Sequence, residues 1–143
     1  MGGRVKAFEV RMVFEPKTYD IDYAGIVSNQ VYIRWLEDMR FEVIRQHFGW
    51  ENFPPGVVPV LLRTEIDYVS ALRLFDRVEG RMWISGLDNV RWIIEGEFVK
   101  IPGDNLVARA RHEGIFYDTI RRRPVRVPGE LKRAVFSEVG KEK

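Results

Sequence analysis

Cysteine is absent from the 143 residues, which excludes disulfides, thiolate metal sites and a thiol nucleophile. Only two histidines are present: His47 closes a helical pattern just before Gly49, and His112 falls inside a strand pattern. Neither shows the convergent partners that a zinc or serine-type site needs, so both are read as structural and no metal or cofactor is expected. An excess of one charge sign is also lacking. The 23 basic and 21 acidic residues leave a net charge of +2 and are mixed along the chain, so there is no electrostatic footprint for nucleic acid. No uninterrupted apolar run approaches the ~18 residues of a membrane span. Met1-Gly2-Gly3-Arg4-Val5-Lys6 leads straight into an alternating strand instead of an apolar signal core, and Lys6 stands where a myristoylation pattern needs Ser or Thr. These readings predict a soluble, cytoplasmic protein. Internal repeats and low-complexity segments are missing too.

What is present suffices for one domain, taken as residues 1–143, because the 45% hydrophobic content can supply a core at this length. Phe8, Val10, Met12 and Phe14 alternate with Glu9 and Arg11 and predict a half-buried strand that stops near Pro16. From Val31 to about Phe48, Tyr32, Trp35, Leu36, Met39, Val43 and Ile44 recur at helical spacing, with Arg34, Glu37, Asp38 and Arg45 largely on another face. Gly49 and then Pro54-Pro55-Gly56 end that helix in a loop. Four strand patterns follow: roughly Val58 to Val69, Arg77 to Leu87, Arg91 to Ile101 and Leu106 to Tyr117. Asp88-Asn89 and Pro102-Gly103-Asp104-Asn105 supply tight turns between the later strands. Ala108, Ala110 and Gly114 leave room on one face for something bulky. A short helix is predicted from Pro128 to about Phe136. The order is strand, long helix, four-strand meander and tail helix, which is a two-layer α+β domain.

The stretch richest in chemistry is Asp22-Tyr23-Ala24-Gly25-Ile26-Val27-Ser28-Asn29-Gln30-Val31-Tyr32, a carboxylate and a glycine on a turn before the long helix. A helix N-terminus offers N–H groups without intrahelical partners and a partial positive charge, so a developing oxyanion is stabilised there. On local chemistry alone, Asp-x-x-Gly before a helix is also ordinary turn and cap chemistry.

Asp22, Gly25, Ile26, Val27 and Tyr32 together resemble the active-site segment of hotdog-fold thioesterases of the 4-hydroxybenzoyl-CoA thioesterase group. Val27-Ser28-Asn29 is similar to the Val-Asn-Asn of acyl-carrier-protein thioesterases. The resemblance extends through Asp67-Tyr68-Val69, Arg73 and Asp76, and through Phe116-Tyr117-Asp118 to Arg123-Pro124-Val125 and Val127-Pro128. Ser28, Asn29 and Val31 depart from many relatives. Ala71 and Phe75 stand where a Pro and a Gly are common, which predicts an altered loop.

The resemblance implies a hotdog fold, a five-stranded antiparallel sheet wrapped around the long helix, and a homodimer or homotetramer with sites at the dimer interface. It implies an acyl-CoA thioesterase in which Asp22 is nucleophile or general base and a backbone N–H at or near Asn29 polarises the carbonyl. Gly25 lets the turn approach the substrate closely, and the Asn29 side chain is expected to cap the helix, with substrate binding through it as the alternative. Val27 and Tyr32 are candidates for substrate contact, and Trp35 with Tyr32 for lining the acyl pocket, although aromatic residues at helical spacing are more often core. Arg73, Arg121, Arg122 and Arg123, with Arg126, are candidates for gripping CoA phosphates, against a plain reading as solvated loop. Glu37 and Asp38 offer a second carboxylate or merely a solvated helix face. The rival functions are a non-catalytic acyl-CoA-binding domain, an acyl-carrier-protein thioesterase, and a hydratase or dehydratase. The last is disfavoured because no histidine lies in the Asp22 segment.

Overall fold

The computed structural model describes residues 5–141. The residues before them, on which the reading of the N-terminus as neither leader nor myristoylation site mainly falls, lie outside the described residues. Its elements are β1 (Ala7–Phe14), a 3-10 turn (Thr18–Asp20), α1 (Asn29–His47), a second 3-10 turn (Trp50–Asn52), β2 (Val57–Tyr68), β3 (Arg77–Leu87), β4 (Trp92–Ile101), β5 (Asn105–Asp118), β6 (Arg123–Val125) and α2 (Gly129–Lys141).

The start of α1 is set by Ser28, whose extended backbone and hydroxyl form the N-cap, the Oγ accepting from the Gln30 N–H at 3.4 Å. Capping by Asn29 is therefore corrected: Asn29 is the first helical residue, and the shorter hydroxyl one position earlier takes the cap. Val31, Tyr32, Trp35, Leu36, Met39, Val43 and Ile44 are all buried, so the apolar stripe decides which face meets the sheet. Gly49, at φ 94°, ends the helix by donating its N–H to the Ile44 carbonyl at 2.7 Å.

All strands form one antiparallel sheet in the order β1-β3-β4-β5-β2, with β6 paired to the end of β5. Two expectations change here. The sheet has six strands, not five, because 123–125 pairs with 116–118; a three-residue strand with a central proline is too short to carry a periodic signal. The four-strand meander is really a three-strand one, β3-β4-β5. The residues between β2 and β3 form no hairpin. They cross from the β2 edge of the sheet to β3, an interior strand next to the opposite edge strand β1, anchored by fully buried Leu72, and β2 pairs with β5 instead.

The sheet closes around α1 through side chains of matched size. A Cβ at Gly114 would lie 2.1 Å from the Trp92 ring, so the room predicted beside Ala108 and Ala110 is taken up by that indole. Trp92 then donates its ring N–H to the Ile115 carbonyl at 3.0 Å. The tail helix runs further than predicted because Glu138 reaches back, accepting the Phe8 N–H and approaching His47 Nδ1 at 3.6 Å. His47 also holds the Glu9 carbonyl through Nε2 at 2.7 Å and stacks on Phe8. It is a structural residue, as expected.

Candidate active site

Ile21 and Val27 form an antiparallel bridge, which closes residues 22–26 into a tight loop at the start of α1. Within it the Asp22 N–H donates to the Ile26 carbonyl (2.9 Å) and the Gly25 N–H to the Asp22 carbonyl (3.0 Å). Gly25 sits at φ 79° with nothing within 4 Å of where a Cβ would be. Its need is dihedral, and the loop is open on that side. Half-buried Asp22 accepts the Ala24 N–H on Oδ1 at 2.8 Å. That single bond orients the carboxylate and, among the described residues, leaves Oδ2 without a partner.

The backbone donors at the head of α1 are mostly committed. Ser28 N–H goes to the Asp20 carbonyl at 2.9 Å, Val31 N–H to the Ser28 carbonyl at 3.0 Å, and Gln30 N–H to the Ser28 hydroxyl. Among the described residues the Asn29 N–H has no acceptor, and Asn29 is exposed. One open donor at a positive helix end is what an oxyanion requires.

Asp20 and Arg34, which the sequence reading passed over, hold this geometry. Asp20 is only 5% exposed; its carboxylate accepts the Lys17 N–H (2.8 Å) and Arg34 Nη2 (3.1 Å). Removing Arg34 would strand a buried carboxylate beneath the loop. The signal in the sequence is the pair of aspartates at 20 and 22, two positions apart on one turn. On the other flank, Tyr68 donates its hydroxyl to the Asn29 carbonyl at 3.0 Å and ties the end of β2 to the helix.

Val27 and Tyr32 are each 2% exposed and face the core. Tyr32 sits edge-on to Trp35, Tyr68 and Phe98. Burial above all, then the neighbouring Tyr68 and Asp76, push its phenol up to about 12, so it stays protonated at neutral pH. The loop after β2 joins the same neighbourhood, since the Val27 N–H donates to the Leu72 carbonyl at 2.8 Å. Exposed Arg73 follows directly. Its N–H bonds Asp76 Oδ2 at 2.8 Å, and Asp76 in turn meets Lys100 at 3.3 Å. Phe75 occupies φ 77° and is 90% exposed. The loop therefore imposes on a phenylalanine a left-handed conformation that ordinarily favours glycine.

Other candidates lie elsewhere. Arg121, Arg122 and Arg123 are exposed around the turn after β5, where Asp118 Oδ1 caps the Arg121 N–H at 3.0 Å. Register places this turn beside Val57 and the Asn29 neighbourhood beside Tyr68, at opposite ends of β2 and roughly 35 Å apart along the strand. One chain does not bring the arginines to Asp22. Glu37 and Asp38 are exposed on α1. His112 is 2% exposed and bonded by Arg40. Burial first, then Arg40, pushes its pKa down to about 4, so the ring is neutral at neutral pH. No cluster of three or more potential metal ligands occurs among the described residues, and no helix there is long and apolar enough to cross a membrane.

Residues 16–135 match the family model described as the thioesterase-like superfamily. Two chloroplastic acyl-acyl carrier protein thioesterases of Arabidopsis thaliana are 24% and 26% identical over 119 residues, covering 81% of this chain. The chain spans only 62% of the length of either plant protein. Among solved structures, the DHNA-CoA thioesterase of Staphylococcus aureus superposes with a TM-score of 0.80 at 16% identity, covering 93% of this chain and 91% of that one. The 1,4-dihydroxy-2-naphthoyl-CoA thioesterase of Synechocystis gives 0.78 at 17% identity, covering 90% and 96%. With a sheet curled around one long helix, and with a family match over most of its length, the chain has the hotdog fold and belongs to the thioesterase-like superfamily.

Proposed function

We propose that this protein is an acyl-CoA thioesterase, hydrolysing a thioester to a free acid and CoA at the loop of residues 22–26. The observation that carries the reading is the pairing of an oriented carboxylate with one free oxygen on Asp22 and an uncommitted N–H on Asn29 at the head of α1. The thioester carbonyl oxygen rests on that N–H, where the charge developing in the tetrahedral transition state meets the positive end of the helix. Asp22 either attacks the carbonyl carbon, expelling the CoA thiolate and leaving a mixed anhydride for water to open, or takes a proton from the attacking water. Gly25 keeps the rim of the loop free of a side chain.

A complete site draws on a second copy of the chain. β2 is an edge strand that leaves Val58, Leu61 and Leu62 at 37%, 36% and 54% exposure, the kind of edge that pairs with another strand unless it is blocked. Antiparallel pairing of two β2 edges about a two-fold axis carries the arginine turn of one copy toward the Asp22 end of the other, and Arg121, Arg122 and Arg123 then join Arg73 as candidate phosphate contacts. A homodimer or homotetramer follows from this arrangement, and the cytoplasmic location expected from the sequence belongs to the same proposal.

The test is thiol release from short, long and aromatic acyl-CoAs by wild type and Asp22→Asn. The expected outcome is hydrolysis of at least one member, falling roughly 10²-fold or more in the variant. Single turnover in heavy-oxygen water separates the routes, since only the anhydride route labels Asp22 itself. The plant relatives favour a second reading, with an acyl-carrier-protein thioester as substrate. Hydrolysis of acyl-carrier protein, with every CoA ester left intact, would establish that one instead.

A further inference from the structure

The far half of α1 carries a cavity that the reaction at Asp22 does not use. It has a volume of about 190 Å³, and its apolar wall includes Ile84, Leu87, Trp92, Ile94, Phe116 and Leu131. A cavity of ~150 Å³ lined by such residues takes benzene, so this one accommodates a single ring or a short chain. Arg40 lines it, three turns beyond Asn29 and hence roughly 16 Å along the helix axis.

Arg40 is the anomaly. Its guanidinium is half-buried on the wall of an apolar cavity, a placement that ordinarily comes with a carboxylate partner. Among the described residues no carboxylate lies within ion-pair distance. Its one side-chain hydrogen bond runs from Nη1 to His112 Nδ1 at 3.1 Å. Since a guanidinium can only donate, Nδ1 is the acceptor and the imidazole proton sits on Nε2, which is buried and itself unpartnered. The neutral ring therefore holds the guanidinium in place without neutralising it, and leaves most of its N–H donors unused. Burial pushes the pKa of Arg40 down, and Glu37, one turn earlier at the cavity rim, only partly opposes that from beyond ion-pair reach.

We propose that this cavity binds a small apolar carboxylic acid, its ring or short chain among the apolar side chains and its carboxylate on the guanidinium of Arg40. A planar two-oxygen anion matches the fork of N–H groups that Arg40 presents. The apolar body replaces solvent against Trp92 and Phe116. Glu37 opposes the ligand charge and keeps the site selective for acids that also fill the cavity. The site is independent of the chemistry at Asp22.

Benzoate and hexanoate, each against its neutral counterpart benzyl alcohol or hexanol, are the probes. Binding to the full chain is followed by calorimetry and by the fluorescence of Trp50 and Trp92, which both line the cavity. At least one acid is expected to bind saturably and tenfold or more tighter than its alcohol. Arg40→Gln is expected to erase that preference while leaving alcohol binding in place, Glu37→Gln to tighten the acid several-fold, and Asp22→Asn to change nothing. Equal binding of acid and alcohol by the wild type, or no saturable binding of either acid, overturns the proposal. Should Arg40→Gln fail to fold, the acid-to-alcohol ratio and the Glu37→Gln response still decide it.

Discussion

β2 and β3 are strands of nearly equal length in the same sheet, yet they are opposites. β3 alternates until Val78, Gly80, Met82 and Ile84 are buried, and its last four residues are buried without a break. β2 buries only Val57. The difference lies in position: β3 has a neighbour on each edge and α1 across its face, whereas β2 has β5 on one edge and, among the described residues, no strand on the other. The protein is finished on one side and unfinished on the other. The candidate active-site loop is tied to the unfinished side, through the bond from Tyr68 to Asn29, and this is the side that a second copy would complete.

Truncation on the two sides should separate stability from assembly most strongly. Leu36 is fully buried against the sheet, and Leu36→Ala is expected to cost about 2–5 kcal/mol in urea unfolding. Leu62, at 54% exposure on β2, should behave differently: Leu62→Asp is expected to leave the folded monomer within about 0.5 kcal/mol while shifting sedimentation toward the monomer. A Leu62→Asp protein that unfolds like Leu36→Ala, or that keeps its oligomeric state, would end the distinction drawn between the two strands.

The boundary between the two sides has a titrating residue, His112 on β5, paired with Ile94 on the finished side and Thr64 on the unfinished side. Its folded pKa is held near 4 by burial and then by Arg40, below the ~6.5 of an unfolded histidine. The unfolded chain thus binds the extra proton first. Stability is full above pH 6.5 and is lost as the pH falls from there toward 4, by an amount on the order of 3 kcal/mol. Unfolding midpoints of wild type and His112→Gln across that window check it: the variant should show a flatter slope, and equal slopes would mean that the imidazole is already charged in the folded protein.

Much of this was legible beforehand because it is periodic. The stripe from Val31 to Ile44, the alternation of β1 and the turn at Asp88-Asn89 are local signals, and the elements appear within a few residues of where they were expected. What was not legible is relational. Nothing local in residues 69–76 says that the chain crosses the sheet to β3, past β5 and β4; that depends on Leu72 finding a buried site beside Val27. Arg34 belongs by periodicity to the polar face of the helix and Asp20 carries no periodic signal, and only the folded loop makes them an ion pair. Gly114 was read as making room, but the occupant, Trp92, comes from a different strand. In the same way Arg73 directly follows Leu72, which is bonded to Val27, while the arginines at 121–123 lie at the other end of β2, because strand register separates residues that composition treats alike.

The smallest effect tests the loop that joins the two sides. Phe75 holds φ 77° with its ring 90% exposed, a conformation that costs an L-residue about 1–2 kcal/mol. Glycine would remove that strain at an entropic cost of about 0.5–1 kcal/mol, and an exposed ring contributes no packing to offset the difference. Phe75→Gly should therefore raise the stability of the isolated chain by about 0.5–1 kcal/mol, measured at a concentration low enough to keep it monomeric. The ring is then present for something other than the fold of one chain, since it is held in a strained backbone beside the loop of residues 22–26. If the gain seen in dilute protein reverses at high concentration, Phe75 belongs to the face that a second copy covers. If Phe75→Gly destabilises even the dilute monomer, the ring packs within its own chain and the loop is part of the finished side after all.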